Sequence, residues 1–470
     1  MFEPVIAPSG TLLGLLQRGR GDGTLHALTA PRDEALAALN HCVLSDPRHD
    51  WQVENRSLYY ARLYLDLHGE LGEIERHLFD PDDLVDTDES RTGLALSVLG
   101  HLASYGRRDA LELLRRYAAF GGSWAWALDE LALRDDDAGL RALAEPILAR
   151  FPADAEAELV VAVRDAYEPR PWRLWADDPR PHVGARVRAA REAGSFDRWQ
   201  RQLRPSGPRP EWSVQAVFAW AQEGFERGAV LYVPAARCLT AVAGPDDRAE
   251  ILRAAREGTD GARCTSLRYL ADTHDPEVLD LVEAAVESPS RAVVDAALDA
   301  FERMRSVAAV ERARRWAPRP DALGAAAGRM LACRGGAQDG ELVLGALREA
   351  VRGDGPDAPT LWHLVDGAGR LGIACAAPVL RHVYRETASS HLRGHAARAL
   401  AATDPSFAAG FAVECLWDCE ESTREVAARH AETGDARVVD QLRRLAADPA
   451  EEAEVQTAVR SRIGPDATAM

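Results

Sequence analysis

One recurrence constrains this chain more than any other feature. Alanine-rich segments begin at Ala262 ("ARCTSLRYLADTHD"), Arg291 ("RAVVDAALDAFERM"), Ala322 ("ALGAAAGRMLACRG"), Ala358 ("APTLWHLVDGAGRLG"), His391 ("HLRGHAARALAATDP"), Ser422 ("STREVAARHAETGD") and Ala453 ("AEVQTAVRSRIG"). The interval is roughly 30 residues, the signature of a repeat architecture. Val278, Leu279, Val282, Ala285 and Val286 fall at helical spacing, as do Val293, Val294, Ala297, Leu298 and Phe301 in the segment that follows. Each set is one apolar face of an amphipathic helix. "ESPS" between them is too short for anything but a tight turn, with Ser288 and Ser290 as N-cap candidates. A single hairpin cannot bury both of its faces, so neighbouring hairpins must stack. The expected fold is all-α: a right-handed α-solenoid of antiparallel helical hairpins.

Two stretches carry a family likeness. "HLRGHAARALAATDPSFAAGF" offers Arg393, Ala396, Ala397, Leu400, Asp404 and Pro405. "STREVAARHAETGDARVVDQLRRLAAD" offers Arg424, Ala427, Ala428, Gly434, Asp435, Val438, Val439 and Leu442. Both resemble HEAT repeats of the short, phycobilisome-lyase-like class: arginine with paired alanines, a Gly-Asp or Asp-Pro turn, then branched apolars. The resemblance covers about 245–464 and implies HEAT-like hairpins. It does not imply a lyase, because the repeat is a scaffold with many uses.

The first half reads as less regular helices. Three blocks are expected: irregular N-terminal helical repeats over 1–167, a Pro/Arg/Trp-rich junction over 168–212, and the regular array over 213–470. The junction, opening with "EPRPWRLWADDPRPHVGAR", holds seven prolines, and proline density breaks helices. It also holds ten arginines against six acids, a local positive excess in a chain of net charge −18.

That net charge repels nucleic acid and anionic membranes unless a local patch overrides it. Its 56 basic residues are all arginine, which excludes Schiff-base chemistry and a P-loop lysine. The seven scattered cysteines suit buried free thiols in a reducing cytoplasm. No signal-like start and no run of about 18 apolar residues is present, so no membrane span is expected. Neither GxSxG, GxGxxG after a strand, nor HExxH occurs.

Four sets of residues are candidate sites. In the junction, Trp172 and Trp175 interleave with Arg173 and Arg180, and Trp199 and Trp212 with further arginines. That mixture suits a phosphate-rich or aromatic ligand or an interface hot spot, or else the tryptophans plug an elbow where repeat packing is interrupted and the arginines pair with the acidic body. In "HDWQVENRSLYYARLYLDLHG", Asn55, Tyr59, Arg62 and Asp66 form one polar helix stripe, read either as a partner-facing surface or as a solvated face with an Arg62–Asp66 pair. "GSWAWALDELALRDDD" holds Trp124, Trp126 and Asp129. HEAT-repeat DNA glycosylases, similar in architecture, use tryptophans beside a catalytic aspartate to hold a cationic base; the spacing here departs from theirs and a basic groove is missing, and the other reading is two packing tryptophans and an exposed acid. Finally, His391 and His395 on one helix and Cys415 and Cys419 on the next offer a zinc-type ligand set, read against buried cysteines acting as small hydrophobes.

The expected function is binding or scaffolding. A HEAT-like surface engages a protein partner, basic by charge complementarity, without cofactor or resident metal and in the cytoplasm. The alternative is a DNA-repair enzyme of the glycosylase type, acting through Asp129, Trp124 and Trp126.

Overall fold

The computed structural model describes residues 6–47, 56–81, 84, 89–152, 154–202 and 212–463. Helix follows helix from Leu12–Gln17 to Ala453–Ile463, with no strand among the described residues. No helix among them is long and apolar enough to cross a membrane. Contacts divide the chain into two compact units, Met1–Arg204 with Tyr384–Ala397 and Pro405–Met470, and Pro205–Val383 with Arg398–Asp404.

The second unit is the regular one. Asp260–Asp272, Arg291–Arg303, Ala322–Arg334 and Leu361–Arg370 each pack on the next in that series. Arg248–Glu257, Val278–Ala285, Val307–Trp316 and Gly340–Asp354 each pack on the helix that follows. These starts coincide with the periodic segments within a few residues. Alanine makes the row compact: Ala296, Ala297, Ala300, Ala326 and Ala327 are all buried. A side chain added at Gly367 would run into the backbone of Ala332. Small residues thus set how near the helices approach.

The first unit holds both ends of the chain. Gly21–Thr29 packs on Phe411–Cys415. The Cys419 N–H donates to the Gly19 carbonyl at 2.8 Å. A side chain at Gly21 would collide with the Glu414 carbonyl. Arg18 and Arg20 donate to the carbonyls of Glu386 and Arg385. Two ion pairs are wholly buried, Arg393 with Asp418 at 3.1 Å and Arg424 with Glu451 at 2.6 Å. These are the two arginines that carry the HEAT resemblance.

The stretch read as a junction is helical, in two pieces, Arg170–Ala176 and Pro181–Gln202. Its prolines do not break these helices because Pro171 and Pro181 stand in first turns, where the missing N–H has no partner to lose. Arg204, Arg209 and Glu211 lie outside the described residues, as do the side chains of Asp197, Arg198, Trp199 and Arg201.

One device recurs in both units. An arginine reaches back to the last carbonyls of an earlier helix. Arg150 donates to the Gly121 carbonyl at 3.0 Å. Arg170 bonds the Ala132 and Asp135 carbonyls, and Arg186 those of Leu148 and Phe151. Arg370 spans Leu331, Ala332 and Gly335, and Arg462 spans Ala428, Arg429 and Ala431. Terminal carbonyls have no partner within their own helix. A planar guanidinium with five donors bridges several of them at once, which a lysine ammonium does not.

Candidate functional site

One departure from this pattern of matched charges is a pocket in the first unit. Its walls come from Trp124–Arg134, the end of Glu156–Asp165 and the start of Arg170–Ala176. The cavity measures about 660 Å³. Trp124, Trp126, Asp129, Glu130 and Trp172 line it, with Leu133, Val161 and Tyr167 around them. The last three are exposed, Tyr167 to 82%. Glu89 and Asp165 add charge at exposed positions. Among the described residues no arginine lines the cavity.

The tryptophans are held in place by one another. Trp124 meets Trp172 edge-on at 6.5 Å and Phe151 at 5.7 Å. Trp172 in turn meets Trp175 at 4.9 Å. Trp126 donates its indole N–H to the Ser97 hydroxyl at 3.0 Å. Trp124 already carries one guanidinium, Arg150, 5.7 Å from its ring centroid, so it is a ring that draws a cation.

The two neighbouring carboxylates differ. Glu130 accepts from the Ser97 hydroxyl at 2.8 Å and pairs with Arg134 at 2.6 Å. Asp129 accepts only the Glu168 N–H, at 3.0 Å on Oδ1, and no cation pairs with it among the described residues. Burial pushes its carboxyl up to about 6, the Glu168 N–H opposes that, and the charges of Glu168, Glu130 and Glu89 add to it. The last turn of Glu156–Asp165 also borders the cavity, and a helix C-terminus favours positive charge. The arrangement is an acidic, aromatic pocket in which Asp129 has no paired cation among the described residues.

The structure joins two of the sequence candidates here, since Trp172 of the supposed junction sits beside Trp124, Trp126 and Asp129. Trp175 is closed off, fully buried with its indole on the Leu140 carbonyl at 2.8 Å. Arg173 stays exposed, and Arg180 pairs with Asp178 and Glu145. Leu133, Val161 and Tyr167 carried no sequence signal beyond being apolar.

The polar stripe is elsewhere in the same unit, where the two ends of the chain meet. Tyr59 is buried and donates to the Arg20 carbonyl at 2.8 Å. Arg62 does not pair with Asp66. It bonds Asp448 at 2.7 Å and the buried Glu451 at 3.1 Å, while Asp66 takes Arg444 at 2.5 Å. Tyr105 adds a bond to Asp448 at 2.9 Å. A cavity of about 320 Å³ remains there, lined by Tyr59, Arg62, Asp66, Trp417 and Gln441 among others. Asn55 lies outside the described residues.

The zinc-type set does not assemble. His391 and His395 approach each other, their Nε2 atoms 3.2 Å apart on the surface. Cys415 is buried against the Tyr384 hydroxyl at 3.1 Å, and Cys419 is buried near Arg393 at 3.4 Å. No group of three or more His, Cys, Asp or Glu side chains is placed to hold a metal ion among the described residues. No known family model matches the chain, and no curated protein matches it.

Proposed function

We propose that this chain is a binding protein, built on HEAT-like hairpins stacked as a solenoid, that engages a basic protein partner through the Trp124–Trp126–Asp129–Trp172 pocket. The observation that supports it is Asp129: a half-buried carboxylate between tryptophans, with no cation of its own, in a chain whose other buried acids mostly have one. A cationic side chain entering the pocket gains the aromatic faces and the carboxylate together. Exposed Leu133, Val161 and Tyr167 give the apolar contact around it, the pattern of a buried anchor with a surrounding rim. The net charge of −18 steers a basic partner and speeds its encounter.

The test is calorimetry of the full chain with a short peptide rich in arginine and lysine, at low and physiological salt, against an acidic peptide of equal length. Binding of the basic peptide alone, weakened by Asp129→Asn and by Tyr167→Ala, supports the reading. Failure to bind it, or binding indifferent to both variants, refutes it.

A second reading has one specific observation behind it. Trp124, Trp126 and Asp129 do share a pocket, as a site for a cationic nucleobase requires. It stands second because the lining, among the described residues, holds acids and no arginine to take up phosphate. A duplex DNA titration across a salt series separates the two, since phosphate contacts appear as a slope against log salt.

A further inference from the structure

We infer that the pocket selects a methylated ammonium, a group that carries positive charge but few or no hydrogen-bond donors. The inference rests on the pocket being the receiving site proposed above, and it names the chemistry of what is received.

Selectivity follows from how many hydrogen-bond donors the pocket can satisfy. A desolvated guanidinium brings five N–H donors and a primary ammonium three, and each donor left unpaired in a buried site costs binding. Inside this pocket most of the enclosed side-chain acceptor oxygens already hold a bond. Both oxygens of Glu130 are committed, one to Ser97 and one to Arg134. The Ser97 hydroxyl also takes the Trp126 N–H. Asp165 is bonded through both oxygens to Arg164. Oδ1 of Asp129 holds the Glu168 N–H. Asp129 Oδ2 is what remains between the walls, and the Glu89 carboxylate is exposed.

Against that one enclosed carboxylate oxygen stand the rings of Trp124 and Trp126 and the phenol of Tyr167, with the buried Trp172 packed edge-on against Trp124. A guanidinium would forfeit water it cannot replace, and its planar fork prefers a carboxylate with both oxygens open. A trimethylammonium forfeits little. Its methyl groups present spread positive charge to the ring faces, and a single carboxylate balances that charge without needing a donor. The cavity, about 660 Å³, also has room for the chain that carries such a head group. Two sources supply this chemistry, a methylated lysine on a protein and a free choline-like molecule.

The test titrates the full chain at pH 7.5 with tetramethylammonium, methylammonium and methylguanidinium chlorides, followed by calorimetry or by methyl signals in NMR. Tetramethylammonium is expected to bind about tenfold tighter than methylguanidinium. Asp129→Asn, which keeps an acceptor for the Glu168 N–H, is expected to remove that preference without lowering the thermal midpoint. Methylguanidinium binding as tightly or tighter overturns the inference and leaves the basic-partner reading standing. No binding of any of the three overturns both. Tetramethylammonium binding unchanged in Asp129→Asn overturns the assignment to this pocket. A further pair of arms, a short peptide with trimethyllysine and free choline, tells the two sources apart: the tighter one names the source, and equal failure of both overturns the inference.

Discussion

Two regions of the first unit carry the same residue types and put them to opposite use. Where the chain ends meet, Tyr59, Arg62 and Asp66 find Arg20, Asp448, Glu451 and Arg444, and each charge is answered by another. In the tryptophan pocket, Asp129 is answered by a backbone N–H alone. The first arrangement spends its polar groups on holding the fold closed. The second leaves a charge half-buried and unanswered, which folding would not retain for its own sake, since burial without a partner costs free energy. Aromatic and charged residues in a sequence are therefore not equally informative. What separates structure from binding is whether the charge has a partner once the chain is folded.

The comparison breaks most visibly at the chain ends. Arg424→Ala leaves the buried Glu451 without its main partner, and loss of one half of a buried pair costs about 3–5 kcal/mol. Urea unfolding of this variant is expected to show that loss. A change under about 1 kcal/mol would mean that Arg62 alone satisfies Glu451.

A smaller effect has the opposite sign. Burial pushes the Glu414 carboxyl up to about 7, and the Asp22 charge adds to it while Arg20 and Arg385 oppose it. Asp22 is raised as well, first by its own burial. A carboxyl raised on folding costs stability in its charged form, and that cost is relieved as pH falls through the folded value toward the ordinary one. Glu414→Gln is accordingly expected to stabilise the protein at pH 8 by on the order of 2 kcal/mol and to be nearly neutral at pH 5. Equal effects at both values would show that Glu414 is not the titrating group.

In the pocket, Asp129→Asn is expected to leave stability unchanged or to raise it by about 1 kcal/mol, discounted because the group is partly open to solvent. The same change weakens cation binding about tenfold. Wild-type binding is expected to fall below pH 6, as the carboxyl takes up its proton, and pH 5 against pH 7.5 calorimetry reads this. The smallest effect belongs to Tyr167→Ala. With so exposed a side chain, unfolding shifts by less than about 0.5 kcal/mol, while cation binding drops a few-fold.

The repeat was legible because alanine stripes recur locally. Helices observed from Asp260, Arg291, Ala322, Leu361, Ser390, Glu421 and Ala453 need only their own segments to be recognised. The polar stripe was legible as a stripe, but its meaning was not, because the partners of Arg62 and Asp66 lie at the other end of the chain. The prolines of 168–212 differ in effect: Pro171 and Pro181 stand in first turns of helices, while the division into two units falls at Arg204 and Pro205 in the same stretch. Proline breaks a helix interior and is well tolerated in a first turn, and a cluster does not tell which applies. Trp124, Trp126 and Asp129 drew notice as residue types. That Trp172 and Tyr167 complete their pocket depends on tertiary packing between separate helices.

The most direct measurement is the titration of the Asp129 carboxyl itself, followed by carbon NMR with Asp129→Asn as the assignment control. The account predicts a midpoint near pH 6 in the free protein, moving to lower pH when tetramethylammonium is added, because a bound cation favours the charged form. A midpoint near 4 that tetramethylammonium leaves in place would contradict it.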